Sequence, residues 1–472
     1  MTYNKNREIR TNIHRTALSL LGLLIILLIY VSYIQIFESS FLATHPLNRR
    51  TVEAARKIEY GRILDRHGEK LAYSQPDGTG GYRRAYPYGE VFAHIVGYDS
   101  EKYGKTGIES TFTGDLSGIS NPERRLGAVA HLLEATSGNN ITLTLDANLQ
   151  QTAYKALDKH RGAVVAISPR TGAILVMVSK PGFDPNEIDA EWKNVSQSAD
   201  SPLLNRAVQG LYPPGSTIKV MVADAALTEK ITDLKKTFNC EGSLKIGPDY
   251  VLTETNYHAH GKVDLEQALT VSCNITFGSL ALDLGRNRMA KMFERYGFTR
   301  STEEYLQENP SRLPNFSALS DGDLAQTGIG QGSLLVTPLR MAMLASSFAN
   351  NGIIMKPFLV SQITNPDGAI VKRFLPEQWL VATSPQIANT VSEMMVNVVN
   401  EGTGNAARLS GISVAGKTGT AENPHGAAHA WFIGFAPADN PEIAIAVIVE
   451  NGGSGGEIAA PIARQVLAQA LR

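Results

Sequence analysis

The sequence predicts a large α/β (α+β) domain with a mainly antiparallel sheet flanked by helices, preceded by a small N-terminal domain and one transmembrane helix. Three observations carry this. The 472 residues leave room for about three domains. An uncharged apolar run covers Thr16 to Phe37. Strand hairpin patterns stand at both ends of the stretch 138–472, with helix-rich sequence between them. Hairpins pair neighbouring strands antiparallel.

The N-terminal run "LLGLLIILLIYV" can cross the hydrocarbon core as a helix. Lys5, Arg7, Arg10 and Arg15 precede it, with Glu8 the only acid, so the positive-inside rule keeps the N-terminus in the cytoplasm. Tyr30 and Tyr33 suit the far interface. A cleaved signal peptide is the competing reading, but the run continues into "SYIQIFESSF" rather than ending in small residues. The expected division is a cytoplasmic tail at 1–15, an anchor at 16–37, a first domain at 38–137 and a second at 138–472. The protein is then a single-pass plasma-membrane protein with both domains outside the cytoplasm.

The turn-rich "TSGNN" from Thr136 to Asn140 marks the domain boundary. "ITLTLDANLQQTAYKAL" begins as a strand, and Asp146 is placed to cap a following helix. "GAVVAISPRTGAILVMVS" reads as two strands joined by the turn "PRTG". "HAWFIGFAP" and "EIAIAVIVEN" are two further strands, and "IAAPIARQVLAQAL" closes the chain as a helix with Pro461 near its start.

Composition narrows the function. A net charge of −1 gives no basis for a nucleic-acid partner. Apolar content of 43% and charged content of 19% fit a globular chain. Two cysteines, Cys240 and Cys273, exclude a disulfide-rich scaffold and any four-cysteine zinc site, while one disulfide between them stays open. No H-E-x-x-H occurs and the histidines are scattered, so neither a catalytic metal nor a cofactor is expected.

The stretch "GISVAGKTGTAEN" satisfies the phosphate-loop pattern through Gly411, Gly416, Lys417 and Thr418. Such a loop needs an open turn followed by a helix. Here Ile412 to Ala415 reads as a strand, and Gly419 and Pro424 stand where the helix should run. The K-T-G triplet has another use. With S-x-x-K and S-x-N it marks serine acyltransferases. S-x-x-K occurs once, at Ser216 and Lys219. S-x-N occurs at Ser272-Cys273-Asn274 and again at Ser137-Gly138-Asn139. K-T-G occurs at Lys417-Thr418-Gly419 and again at Lys105-Thr106-Gly107. The second copies precede the S-x-x-K, so only one ordered triple exists.

"PPGSTIKVMVADAAL" puts Ser216 at a helix N-terminus, where backbone N–H groups favour developing negative charge. Lys219 shares its helix face. A serine hydroxyl needs a base, and a lysine in an apolar, cation-rich site can become one. Lys417 can supply the neighbouring cation. "GGSGG" around Ser454 matches a hydrolase elbow, but no Asp or His follows it, so it reads as a glycine-rich connection.

With these residues in view, the chain resembles the class B penicillin-binding proteins, membrane-anchored peptidoglycan transpeptidases with a penicillin-binding/β-lactamase-like catalytic domain. "GRILDRHGEKLA" and "GKTGIE" followed by "LSG" resemble the family's non-catalytic pedestal, here 38–137. "YPPGSTIK", "SCNITF", "GIGQGSLLVTPLRMA" and "AGKTGTAE" followed by "WFIGFAP" resemble its transpeptidase domain. The resemblance implies that Ser216 attacks the penultimate D-Ala carbonyl of a stem pentapeptide, with Lys219 as base. It implies that Ser272 relays a proton and Asn274 orients the peptide. Lys417 and Thr418, with Gly419 and Thr420 beside them, would bind the substrate, and the N–H groups of Ser216 and Thr420 would hold the oxyanion. β-Lactams would trap Ser216. Cys273 reads as a small core residue. A D,D-carboxypeptidase, a β-lactamase and a β-lactam sensor share the same residues. The family implies a polytopic SEDS-type glycosyltransferase as membrane partner.

Overall fold

The computed structural model describes residues 2–34, 57–118, 137–424 and 426–472. The chain divides into two compact units: Met1–Glu59 with Pro76–Arg83, and Tyr60–Gln75 with Arg84–Arg472. The first contains helix α1, Thr2–Tyr33. Its stretch Arg10–Tyr33 is long and apolar enough to cross a membrane, with a mean hydropathy of 2.3. The expected end of the anchor at Phe37, and the 38–56 and 119–136 stretches of the first domain, lie outside the described residues.

The second unit is built on a five-stranded sheet. Its strands are β1 (Gly162–Ile167), β2 (Ile174–Lys180), β3 (Ala415–Ala421), β4 (His429–Ala436) and β5 (Ile443–Val449). They lie in the order β3-β4-β5-β1-β2, all antiparallel. β1 and β2 form the expected hairpin, closed where Gly172 N–H donates to Ser168 O at 2.9 Å. β5 is apolar at every position because it is covered on both faces. Ile445 and Val447 pack with Val164, Phe432 and the C-terminal segment. Ala444, Ala446 and Ile448 join the opposite core with Val165, Ile433 and Trp431. The period of two divides one strand between two cores.

Helices cover this sheet. Helix α2, Ala147–Ala156, starts where Asp146 accepts from Asn148 N and Leu149 N at 3.0 Å, as its sequence predicts. It packs against the final helix α7 (Ala460–Ala470), which carries Pro461 in its first turn. Helices α3 (Lys219–Thr228), α4 (Asn274–Arg295), α5 (Pro338–Ala349) and α6 (Pro385–Asn400) also belong to the second unit. Every residue of α5 is buried, including Arg340. Arg340 donates to Glu308 at 2.6 Å and to Gly297 O at 2.8 Å, and Thr337 donates to the other Glu308 oxygen. Both charged side chains are at most 2% exposed. Glu308→Ala therefore strands a buried guanidinium. The expected loss is about 3–5 kcal/mol of stability, read by chemical denaturation.

Strand Asn140–Leu143 pairs parallel with Ile63–Leu64 and antiparallel with Val360–Thr364. The "GRILDRHGEKLA" motif therefore shares a sheet with sequence more than two hundred residues downstream. Asp65 of "GRILDRHGEKLA" is fully buried and accepts from His67 N, Glu69 N and Ala147 N at 2.8–3.0 Å. Glu109 of "GKTGIE" is buried in an ion pair with Arg84 at 2.7 Å. Lys105 of the upstream K-T-G pairs with Asp99 at 2.6 Å. These motifs are structural.

Candidate active site

Three distant segments meet at one cleft of about 850 Å³. Ser216 lies on a 3₁₀ turn, Gly215–Ile218, that runs directly into α3. The turn is fixed by Thr217 Oγ1 donating to Pro214 O at 2.7 Å and Trp431 Nε1 donating to Pro213 O at 2.9 Å. Ser272 and Asn274 lie at the start of α4. Lys417 to Thr420 lie in β3, the edge strand. Ser216, Ser272, Asn274, Thr418 and Thr420 line the cleft, and Lys219 and Lys417 are fully buried behind it.

The two lysines converge on the S-x-N loop. Lys219 Nζ donates to Ser272 O at 2.6 Å, Asn274 Oδ1 at 2.7 Å and Ser272 Oγ at 3.3 Å. Lys417 Nζ donates to Ser272 Oγ at 2.9 Å and Thr418 O at 3.1 Å. Ser272 holds a left-handed backbone, φ 62°, which is costly for a side chain bearing a Cβ. That conformation aims its hydroxyl between the two ammonium groups. Asn274 Nδ2 donates to Thr253 O at 3.1 Å, which fixes its amide. Ser216 Oγ makes no hydrogen bond among the described residues, so its hydroxyl is free for a reaction partner.

Burial lowers the Lys219 pKa to about 8, against a smaller upward pull from Glu254 and the cysteines. Burial also pushes Lys417 well below the usual lysine range, and the Lys219 charge adds to this. Two close cations without a salt-bridging carboxylate each make the other easier to deprotonate.

The strand expected over Ile412–Ala415 starts only at Ala415, and Ile412 makes an isolated bridge with Leu409. Lys417 and Thr418 sit inside a strand, with no helix after them, so the phosphate-loop geometry is absent. Gly419 faces away from the cleft. A Cβ there would lie 2.9 Å from Pro214 O. Its glycine identity lets β3 lie against the nucleophile turn. Ser454 does line the cleft, and its hydroxyl caps the turn by accepting from Glu457 N. Its neighbour Gly455 explains the glycine-rich sequence, since a Cβ would stand 2.3 Å from both Gly419 O and Trp431 O. Gly455→Ala is expected to cost about 1–3 kcal/mol by overpacking and to slow acylation through displacement of β3. Thermal unfolding and penicillin labelling of the same sample check this.

Sequence reasoning missed Thr403, whose hydroxyl bonds that of Thr418 at 2.6 Å and fixes its rotamer. It also missed Glu254, which lines the cleft. Neither belongs to a motif, and only the fold brings them in. Cys240 and Cys273 are both free and buried.

A serine without a hydrogen-bond partner among the described residues thus lines a cleft backed by two buried lysines on an α/β scaffold. Residues 162–468 match the penicillin binding protein transpeptidase domain, and residues 60–141 match the penicillin binding protein A dimerisation domain. The chain belongs to the class B penicillin-binding proteins. It is 34% identical to the peptidoglycan D,D-transpeptidase PbpA of Mycolicibacterium smegmatis, over 98% of this chain and 99% of that protein. The penicillin G acyl-enzyme complex of penicillin-binding protein A from M. tuberculosis superposes with a TM-score of 0.82 at 33% identity, covering 88% of this chain and all of that one. Pseudomonas aeruginosa PBP2 in complex with WCK 5153 gives 0.76 at 34% identity, covering 88% and 96%.

Proposed function

We propose that this protein is a membrane-anchored peptidoglycan D,D-transpeptidase that crosslinks stem peptides through a Ser216 acyl-enzyme. The observation that carries the reading is the convergence of Ser216, Lys219, Ser272, Asn274, Lys417 and Thr418 on one cleft from segments two hundred residues apart. Ser216 Oγ attacks the penultimate D-Ala carbonyl of a stem pentapeptide, lipid-linked or in nascent glycan, and Lys219 Nζ takes the hydroxyl proton. The oxyanion accepts from the N–H groups of Ser216 and Thr420. Thr420 is exposed on an edge strand, whose outer N–H groups have no strand partner. Each such donor supplies about 3–4 kcal/mol in comparable acyl transfer.

The terminal D-Ala leaves as an amine that takes its proton through Ser272, which contacts both lysines. Asn274 orients the peptide, and Lys417 and Thr418 hold the terminal carboxylate. The ester then passes its acyl group to an amine of a neighbouring stem. β-Lactams enter the same route and stop at the ester. Residues 38–137 act as the pedestal, residues 16–37 anchor the chain with residues 1–15 in the cytoplasm, and residues 138–472 catalyse outside it. A SEDS-type glycosyltransferase is the proposed membrane partner.

The test is intact mass spectrometry of the full-length chain with benzylpenicillin, followed over hours, beside an assay for crosslinked stem peptides. A persistent single adduct together with crosslinked product supports the transpeptidase. An adduct that forms and quickly disappears overturns it in favour of a hydrolase, and a persistent adduct without crosslinking points to a sensor.

A further inference from the structure

A carboxylate on the cleft wall takes no part in the transfer of the acyl group. Thr418, Thr420 and Glu422 line the cleft together. They are alternate residues of the edge strand β3 and its immediate continuation, so the period of two turns their side chains one way. Gly419 and Ala421 between them are buried. Pairing with β4 ends at Ala421, opposite His429, so Glu422 stands just beyond the last bonded pair. Its side chain is exposed and makes no hydrogen bond or ion pair among the described residues. The other charged groups here are occupied. Lys219 and Lys417 are buried on the S-x-N loop. Glu254 has a side chain only 4% exposed and accepts from Ile275 N at 2.8 Å. Tyr250, His258 and His260 are the remaining titratable groups on the lining. Among the described residues of the cleft, Glu422 is therefore the carboxylate open to an incoming cation.

The direction of the donor fixes what meets it, given the proposed transpeptidase reading on which this step rests. The donor's terminal carboxylate sits at Lys417 and Thr418 and its acyl carbon at the Thr420 N–H. The rest of the donor then runs on along β3 toward Glu422. Two residues of extended strand advance about 7 Å. The side chain of the stem residue preceding the acyl D-Ala spans that distance. The acyl group passes to an amine on a neighbouring stem. Donor and acceptor are copies of one building block, so the donor carries the same amine, and an alkyl amine is a cation at neutral pH.

We propose that Glu422 determines donor specificity by receiving the side-chain ammonium of the stem residue that precedes the acyl D-Ala. A stem that has already served as acceptor has lost this cation, because acylation turns the ammonium into a neutral amide and releases its protons. Glu422 therefore favours donors whose amine is still free over donors that are already crosslinked through it. The carboxylate touches neither Ser216 nor the lysines, so it acts on the choice of donor and leaves the chemical steps to the motifs.

The test uses the full-length chain in detergent and two penicillins that differ only in a terminal amine on the acyl side chain, one free and one acetylated. That side chain stands where the rest of the stem stands in the donor. Acylation rates are read by intact mass spectrometry, with benzylpenicillin as reference. The expected result is a preference of about tenfold for the free amine, the scale of one hydrogen bond to a charged group. High salt shrinks it. Glu422→Gln removes the preference, and Glu422→Lys inverts it. Two donor peptides ending in D-Ala-D-Ala, free or acetylated at the same amine, give the same order in the crosslinking assay, through KM rather than kcat. The proposal is overturned if the wild-type chain takes both penicillins at equal rates, or if the preference survives Glu422→Gln. Those outcomes leave the Ser216 adduct in place, whereas absence of any adduct refutes the Ser216 reading itself and this inference with it.

Discussion

Ser216→Ala removes the benzylpenicillin adduct from the full-length chain altogether and lowers transpeptidation by about 10⁶-fold, the scale seen when a serine acyl-enzyme loses its nucleophile. The expectation rests on position. Ser216 lines the cleft one turn from Lys219, and its hydroxyl has no partner among the described residues. The substitution leaves the fold intact, because the nucleophile turn is held by Thr217 and Trp431 rather than by the Ser216 side chain. Peptide mapping of any adduct that remains gives a second reading. Ser272 and Ser454 line the same cleft, and labelling at either would move the nucleophile there and refute the proposed chemistry.

The second large effect concerns Lys219. Lys219→Ala and Lys219→Arg are both expected to slow acylation by about 10²- to 10⁴-fold, the usual contribution of a general base. Arginine fails because it stays protonated and cannot take the serine proton. The pH profile follows from the pKa of about 8 that burial imposes on Lys219. A base acts in its neutral form. Below about 8 the neutral fraction falls, so acylation rises with pH and levels off above that value. A wild-type rate that stays flat across that pH range would remove Lys219 as the base. Lys219→Ala also leaves Asn274 Oδ1 and Ser272 O without their donor. A melting curve therefore separates loss of the base from loss of loop order.

The relation of motif order to the site was legible because each motif depends on local backbone. Ser216 follows Pro-Pro-Gly and heads a helix, Asp146 caps α2, and continuous apolar runs bounded by turn residues mark β1, β2 and β4. The strand before Lys417 was read too early. Ile412 to Val414 look extended, but their backbone does not join the sheet, and propensity is silent about which residues find a partner strand. The sequence places Gly419 in the substrate-binding K-T-G triplet, but the constraint the fold adds, the Pro214 carbonyl 2.9 Å from where its Cβ would stand, is a distance no local pattern carries.

By itself, the sequence determined the long apolar N-terminal helix, the hairpins, the helix starts and the ordered S-x-x-K, S-x-N and K-T-G triple. These rest on interactions within about ten residues, which composition and periodicity encode. Only the tertiary structure decided that both lysines meet on one serine hydroxyl, that Thr403 steadies Thr418, and that strand Asn140–Leu143 joins early and late sequence in one sheet. Contacts of this kind join residues far apart in the chain, and their energy depends on geometry that no local pattern carries.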